Sequence, residues 1–172
     1  MENEFTHTPF NGAELLERFS PYPASHDLAT HLFGMHELVL RGFDQMHKSL
    51  EPILSIRKSM EGFGVPGGAL NSVLGESAEL KEHLASLSRQ DRCLQAKGSK
   101  SLAYAMAALT QNLAKDGADG DVSAELCNLV RGACIGSLPE RCKAPWLEYC
   151  QQIEIAIAAS GTKAPSAPAP RL

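Results

Sequence analysis

Apolar side chains recur at every third or fourth position through most of the chain, and no stretch between turn signals alternates with the strand period. The pattern predicts helices. Pro21 and Pro23 precede Ser25, the expected N-cap of a helix running over 26–58. The glycine-rich turn Glu61–Gly68 separates it from a second long helix, 69–95, which Gly98 is expected to end. Ser99 or Ser101 starts a third, with Leu102, Met106, Leu109 and Leu113 on one stripe and Gly117 as C-cap. Asp121 caps a fourth, which aligns Val122, Leu126, Leu129 and Ala133 and closes at Gly136. Pro145 suits the first turn of a fifth, with Trp146, Tyr149, Cys150, Ile153 and Ile157 on its apolar face. A short helix over 13–19 would dock through Leu15, Leu16 and Phe19. The expected fold is an all-α bundle of five or six helices. Its first two long helices, 26–58 and 69–95, form an antiparallel N-terminal hairpin. The expected organisation is a flexible N-terminus (1–11), one helical domain (12–160) and a disordered Ala/Pro-rich tail (161–172), "GTKAPSAPAPRL".

Four of the six histidines lie between Ser25 and His47. With His36 as origin on a wheel of about 100° per residue, His47 falls near about 20°, His26 near about 80° and His31 near about 220°. His36 and His47 share a face but stand roughly 16 Å apart along the axis. The H-x-x-x-H spacing that stacks two metal ligands one turn apart is absent. Leu32, Leu40, Phe43, Leu50 and Leu54 surround His36 on the wheel, whereas Glu37, Arg41, Asp44 and Lys48 make the opposite face. His36 and His47 are therefore expected in or beside the core, each needing a hydrogen-bond partner, with Asp44 within reach of His47.

Gly34, Leu38 and Gly42 lie four apart on one line of the same helix. Glycine inside a helix costs about 1 kcal/mol against alanine, so two on one line suggest close approach by a neighbour. These three residues form the candidate interaction stripe. Pro52, further along, is expected to kink or stop the helix near Leu50 or Glu51.

Composition narrows the functions. The 172 residues suit one domain, and a net charge of −4 without a Lys/Arg cluster argues against general binding to nucleic acid or anionic membranes. No uninterrupted apolar run spans a bilayer, and the acidic start "MENEFTHTPFNGAEL" has no apolar signal region, so the expected location is cytoplasmic. The five cysteines, Cys93, Cys127, Cys134, Cys142 and Cys150, show no C-x-x-C pair and read as small semi-buried hydrophobes. Cys127 or Cys134 could meet Cys142 or Cys150 if their helices pack antiparallel.

"GESAELKEHLASL", Gly75–Leu87, places Glu76, Glu79 and His83 on one helical stripe. Glutamates three apart can hold a magnesium ion. This dozen of residues resembles the E-x-x-E half of the all-α nucleotide pyrophosphatases of the MazG type. The resemblance implies a metal-dependent hydrolase using Glu76, Glu79 and His83, with Asp44 or His47 from the facing helix. The family's second acidic pair is missing, since the next helix carries no acid before Asp116. His26–Asp27 resembles the dyad of the HD phosphohydrolases, but only His7 lies upstream, and Asp27 fits a first-turn residue favoured by the helix dipole. "GFGVPGGAL" lacks the G-K-[ST] of a phosphate loop, and "KDGADGDVSAE" lacks the register of a calcium loop. The expected function is non-catalytic: a helical protein–protein interaction, adaptor or regulatory protein, self-associating or bound to a protein partner, with no cofactor. The metal-dependent hydrolase is the alternative.

Overall fold

The computed structural model describes residues 4–64, 66 and 78–160. Every regular element among them is a helix: α1 (Gly12–Glu17), α2 (Pro23–Gly62), α3 (Ala78–Lys115), α4 (Gly120–Ser137) and α5 (Glu140–Ser160). The all-α bundle expected from the apolar period is the fold. The segment that would close the expected hairpin, and the tail 161–172, lie mostly or wholly outside the described residues.

α3 is the central helix. α2 lies against it in the opposite direction: the start of α2 meets the end of α3 at Ser25 and Asp116, Gly42 faces Leu94, and Ser49 meets His83. α5 runs along α3 in the same direction, with Arg141 bonded to Asp91 and Trp146 over Gly98. α4 packs antiparallel to α5, tied by the Arg131–Glu154 ion pair. Leu32, Phe43, Met106, Leu109, Val130 and Trp146 are buried between these helices. The buried residues of α2 stop at Met46, and those of α3 begin at Leu87. Beyond those points the two helices leave Ile56, Phe63 and Leu84 exposed.

Four expectations about boundaries are corrected. Gly98 does not end a helix, because α3 runs through it for 38 residues. Its missing side chain is filled by an indole: a Cβ there would meet Trp146 Cη2 at 2.5 Å. Pro52 does not stop α2; it is exposed, so the carbonyl it frees lies on the wet side where water can satisfy it. Pro145 sits inside α5 rather than in its first turn, and the proline before the first residue is Pro139. α4 is capped by Asp119, whose side chain accepts from Val122 N at 2.9 Å, rather than by Asp121. The buried face of α4 is also turned from the expected one. Leu126, Cys127, Val130 and Cys134 face inward, and Leu129 is exposed.

Ser25 is likewise no N-cap. α2 starts two residues earlier with Pro23, and Tyr22 at the cap position makes no side-chain hydrogen bond. The cap comes from elsewhere in the chain. The Asp116 carboxylate, just past the end of α3, accepts from Ser25 N at 2.8 Å, Ser25 Oγ at 2.7 Å and Ala24 N at 3.3 Å. It does for α2 what an N-cap side chain does, and it places a negative charge at the positive end of the helix. Partial desolvation opposes the charged form of Asp116, but the bonds from Ser25 and Ala24 outweigh it and hold the carboxyl below its ordinary value. Asp116→Ala is expected to lower stability by about 1–2 kcal/mol, the cost of a lost cap, measurable by urea unfolding at neutral pH. Asp116→Asn, which keeps one acceptor, should lose less.

The five cysteines are free thiols, four of them buried. Burial pushes Cys134 up to about 12 and Cys142 and Cys150 up to about 11, so these thiols stay protonated and act as apolar packing groups.

Candidate functional site

The histidine stretch resolves into four separate environments. His31 is exposed, His26 and His47 are half-buried, and His36 is buried on the same face of α2 as the buried Leu32, Leu40 and Phe43. The four do not converge. Among the described residues no group of three or more His, Cys, Asp or Glu side chains is placed to hold a metal ion.

His36 finds its partner on α4. Its Nε2 lies 2.8 Å from Ser137 Oγ, and that hydroxyl donates to the Cys134 carbonyl at 2.8 Å. Since the serine proton is committed to Cys134, Ser137 Oγ accepts from His36 Nε2–H, which assigns the neutral tautomer from the network. A serine nucleophile would need the reverse, with its O–H donating to an imidazole lone pair. Both side chains are buried, at 4 % and 2 % exposure. The pair is built as a lock between α2 and α4. Phe10, from the segment before α1, closes it with its ring edge-on to His36 at 4.9 Å and to Phe33 at 5.3 Å.

Burial pushes the His36 imidazole down from 6.5 to about 4; a hydrogen bond to the Cys134 backbone opposes this, and the charge of nearby His7 adds to it. The folded protein therefore binds this proton less readily than the unfolded chain does. Stability from this group is complete above the unfolded value of 6.5 and is lost as pH falls from there toward about 4. The expected loss is on the order of 3 kcal/mol across that window, read from denaturant unfolding at several pH values. The contribution of Asp116 has the other origin: it is present above the unfolded carboxyl value of 3.8 and disappears only below it, so the two limbs separate along the pH axis.

The expected interaction stripe divides. A Cβ at Gly42 would meet Leu94 Cδ2 at 3.0 Å, so this glycine serves packing of α2 on α3. Gly34 has open space around it, and Leu38 is 61 % exposed. Leu38 stands at the lip of a groove of about 170 Å³ between α2 and α3. Leu32, Met35, Val39, Leu94 and Leu102 line it, with His36 among them and Lys97 at the edge. A larger concavity, about 490 Å³, lies on the far side of the His36–Ser137 lock, between residues 8–18 and the exposed Leu129, Gly132 and Gly136 of α4. Sequence reading missed Ser137, Asp116 and the His7 contacts described below. Their partners lie tens of residues away, and no local spacing marks them.

The stripe behind the pyrophosphatase resemblance is only partly described. Glu76 lies outside the described residues, Glu79 is exposed, and the His83 Nε2 contact at 3.2 Å is spent on the Ser49 carbonyl. Asp44 Oδ1 lies 2.8 Å from His7 Nε2. No helix among the described residues is long and apolar enough to cross a membrane. Compared with protein-family models, with curated proteins and with solved structures, the chain matches none.

Proposed function

We propose that this chain is a helical interaction protein that docks an apolar side chain of a protein partner into the groove beside Leu38. The observation that carries the reading is Leu38 itself, 61 % exposed at the edge of a groove lined mainly by apolar side chains. Full burial of a leucine contributes about 1.5–3 kcal/mol, enough to make this one residue a centre of binding energy. Gly34, open to solvent one turn earlier on α2, lets a partner backbone come close. The net charge of −4 favours a protein partner over nucleic acid, and a cytoplasmic location belongs to the same reading. A second copy of the chain is one form the partner takes.

Leu38→Asp tests it. An exposed side chain carries little of the folding energy, so the melting temperature should stay within about 0.5 kcal/mol equivalent of wild type. Association, followed by sedimentation velocity of the purified protein and by binding to the co-purified partner, should weaken about tenfold or more. Unchanged association would remove the groove from the account.

A further inference from the structure

Residues 4–11 contain no helix, yet they are bound along their length. Arg141 of α5 donates Nε–H to the Glu4 carbonyl at 3.0 Å, and its guanidinium lies 5.2 Å from the centre of the Phe5 ring. Phe5 is 2 % exposed. Thr8 donates its backbone N–H to the Ser137 carbonyl at 3.0 Å and its hydroxyl to the Gly136 carbonyl at 3.1 Å. Phe10 then covers His36. The segment is a strap laid across α2, α4 and α5.

Its middle is held by His7. The ring Nδ1 lies 2.8 Å from the Thr8 carbonyl oxygen, and Nε2 lies 2.8 Å from Asp44 Oδ1 on α2. A carbonyl and a carboxylate oxygen only accept. A neutral imidazole has one N–H and would turn a lone pair toward one of them; only the imidazolium donates to both. Thr6 Oγ1, one residue before, lies 3.4 Å from His47 Nδ1, so two successive strap residues reach two α2 side chains one turn apart.

We propose that residues 4–11 are a pH-gated strap, latched to α2 by the His7 imidazolium between the Thr8 carbonyl and the Asp44 carboxylate. The charged and titratable groups around the latch are Asp44, His36 and His47 from α2, Arg141 from α5 with its partner Asp91 from α3, and Glu4 of the strap itself. Loss of the His7 proton removes one of its two donated bonds and the attraction to Asp44, so the strap lifts on the alkaline side. On the acid side, a proton on His36, under the Phe10 ring, adds a second cation within electrostatic reach of His7, and the strap lifts again. The closed strap occupies the window between. Opening exposes the apolar faces of Phe5 and Phe10 and removes the strap wall (Thr8, Pro9, Phe10) of the concavity on α4. The inference stands on the strap contacts alone and does not depend on the Leu38 groove.

The test is amide hydrogen exchange of Thr8 N–H, expressed as protection relative to the intrinsic rate at each pH, with the Leu109 amide of the core as a monitor of global unfolding. Protection at Thr8 in the wild type should fall roughly fivefold between about pH 6 and about pH 9, the scale of a partly exposed ion pair, while protection at Leu109 does not fall and gains the His36 contribution as pH rises past 6.5. His7→Gln and Asp44→Asn should both be weakly protected at the lower pH and flat across the range. His36→Leu should keep the alkaline fall and, in a companion series from about pH 6 down to about pH 4, should lose the acid fall at Thr8 that the wild type shows. A wild-type profile without an alkaline fall overturns the proposal. So does an equal fall in His7→Gln, or a matching fall at Leu109.

Discussion

Trp146→Ala is expected to destabilise the protein by about 3–5 kcal/mol, the largest single effect in the bundle. The indole is 2 % exposed and joins α5 to α3 at the notch left by Gly98. Removing it leaves a cavity that α3 and α5 can close only in part. Its Nε1–H is buried without a hydrogen-bond partner among the described residues, so Trp146→Phe should cost much less: the phenyl ring keeps part of the volume and removes an unsatisfied donor. The reciprocal substitution reverses an ordinary rule. Gly→Ala inside a helix usually stabilises by about 1 kcal/mol. At Gly98 the new methyl would meet Trp146 Cη2 at 2.5 Å and Cζ2 at 3.1 Å. A buried indole cannot swing away, so Gly98→Ala should destabilise by about 1–3 kcal/mol, as overpacking does. Combined with Trp146→Phe, which lacks those outer atoms, the penalty should shrink. Thermal and urea unfolding of the two single variants and the double would show this as a non-additive cycle.

The second large effect belongs to His36. His36→Asp should unfold more easily than His36→Leu by about 3 kcal/mol at neutral pH, since it buries a charge or forces proton uptake at a site 4 % exposed. Leucine is tolerated for a reason visible in the lock. Ser137 Oγ keeps its donated bond to the Cys134 carbonyl when the imidazole is gone, so no donor is stranded. His36→Leu should cost about 1 kcal/mol and should also remove the loss of stability between pH 6.5 and about 4. Persistence of that acid limb in the leucine variant would assign it to another group.

The apolar period carried the fold class and most of the core. Leu102, Met106, Leu109 and Leu113 are buried on one stripe of α3, and His36 lies where the wheel put it. What the sequence hid were features whose meaning depends on distant partners. Gly98 reads as a helix end until Trp146, 48 residues later by numbering, is seen to occupy its missing side chain. Ser25 has the residue type and place of an N-cap, but the capping oxygen belongs to Asp116. The start of the chain is polar and has no period, so nothing local announces that Phe5 is buried or that Thr8 bonds to the end of α4. On the interaction stripe, spacing alone put Gly34, Leu38 and Gly42 together. It is the phase of α2 against α3 that gives Gly42 to Leu94 and leaves Leu38 outside.

The docking reading is tested most directly by a photo-crosslinking side chain placed at position 38, compared with the same group at the exposed Gln152 of α5, in living cells. The account predicts a discrete crosslinked species from position 38 and none from position 152. It also predicts loss of that species when Met35 or Val39, both lining the groove, is changed to Asp. Equal crosslinking from the two positions, or a position-38 product that survives Met35→Asp and Val39→Asp, would contradict it.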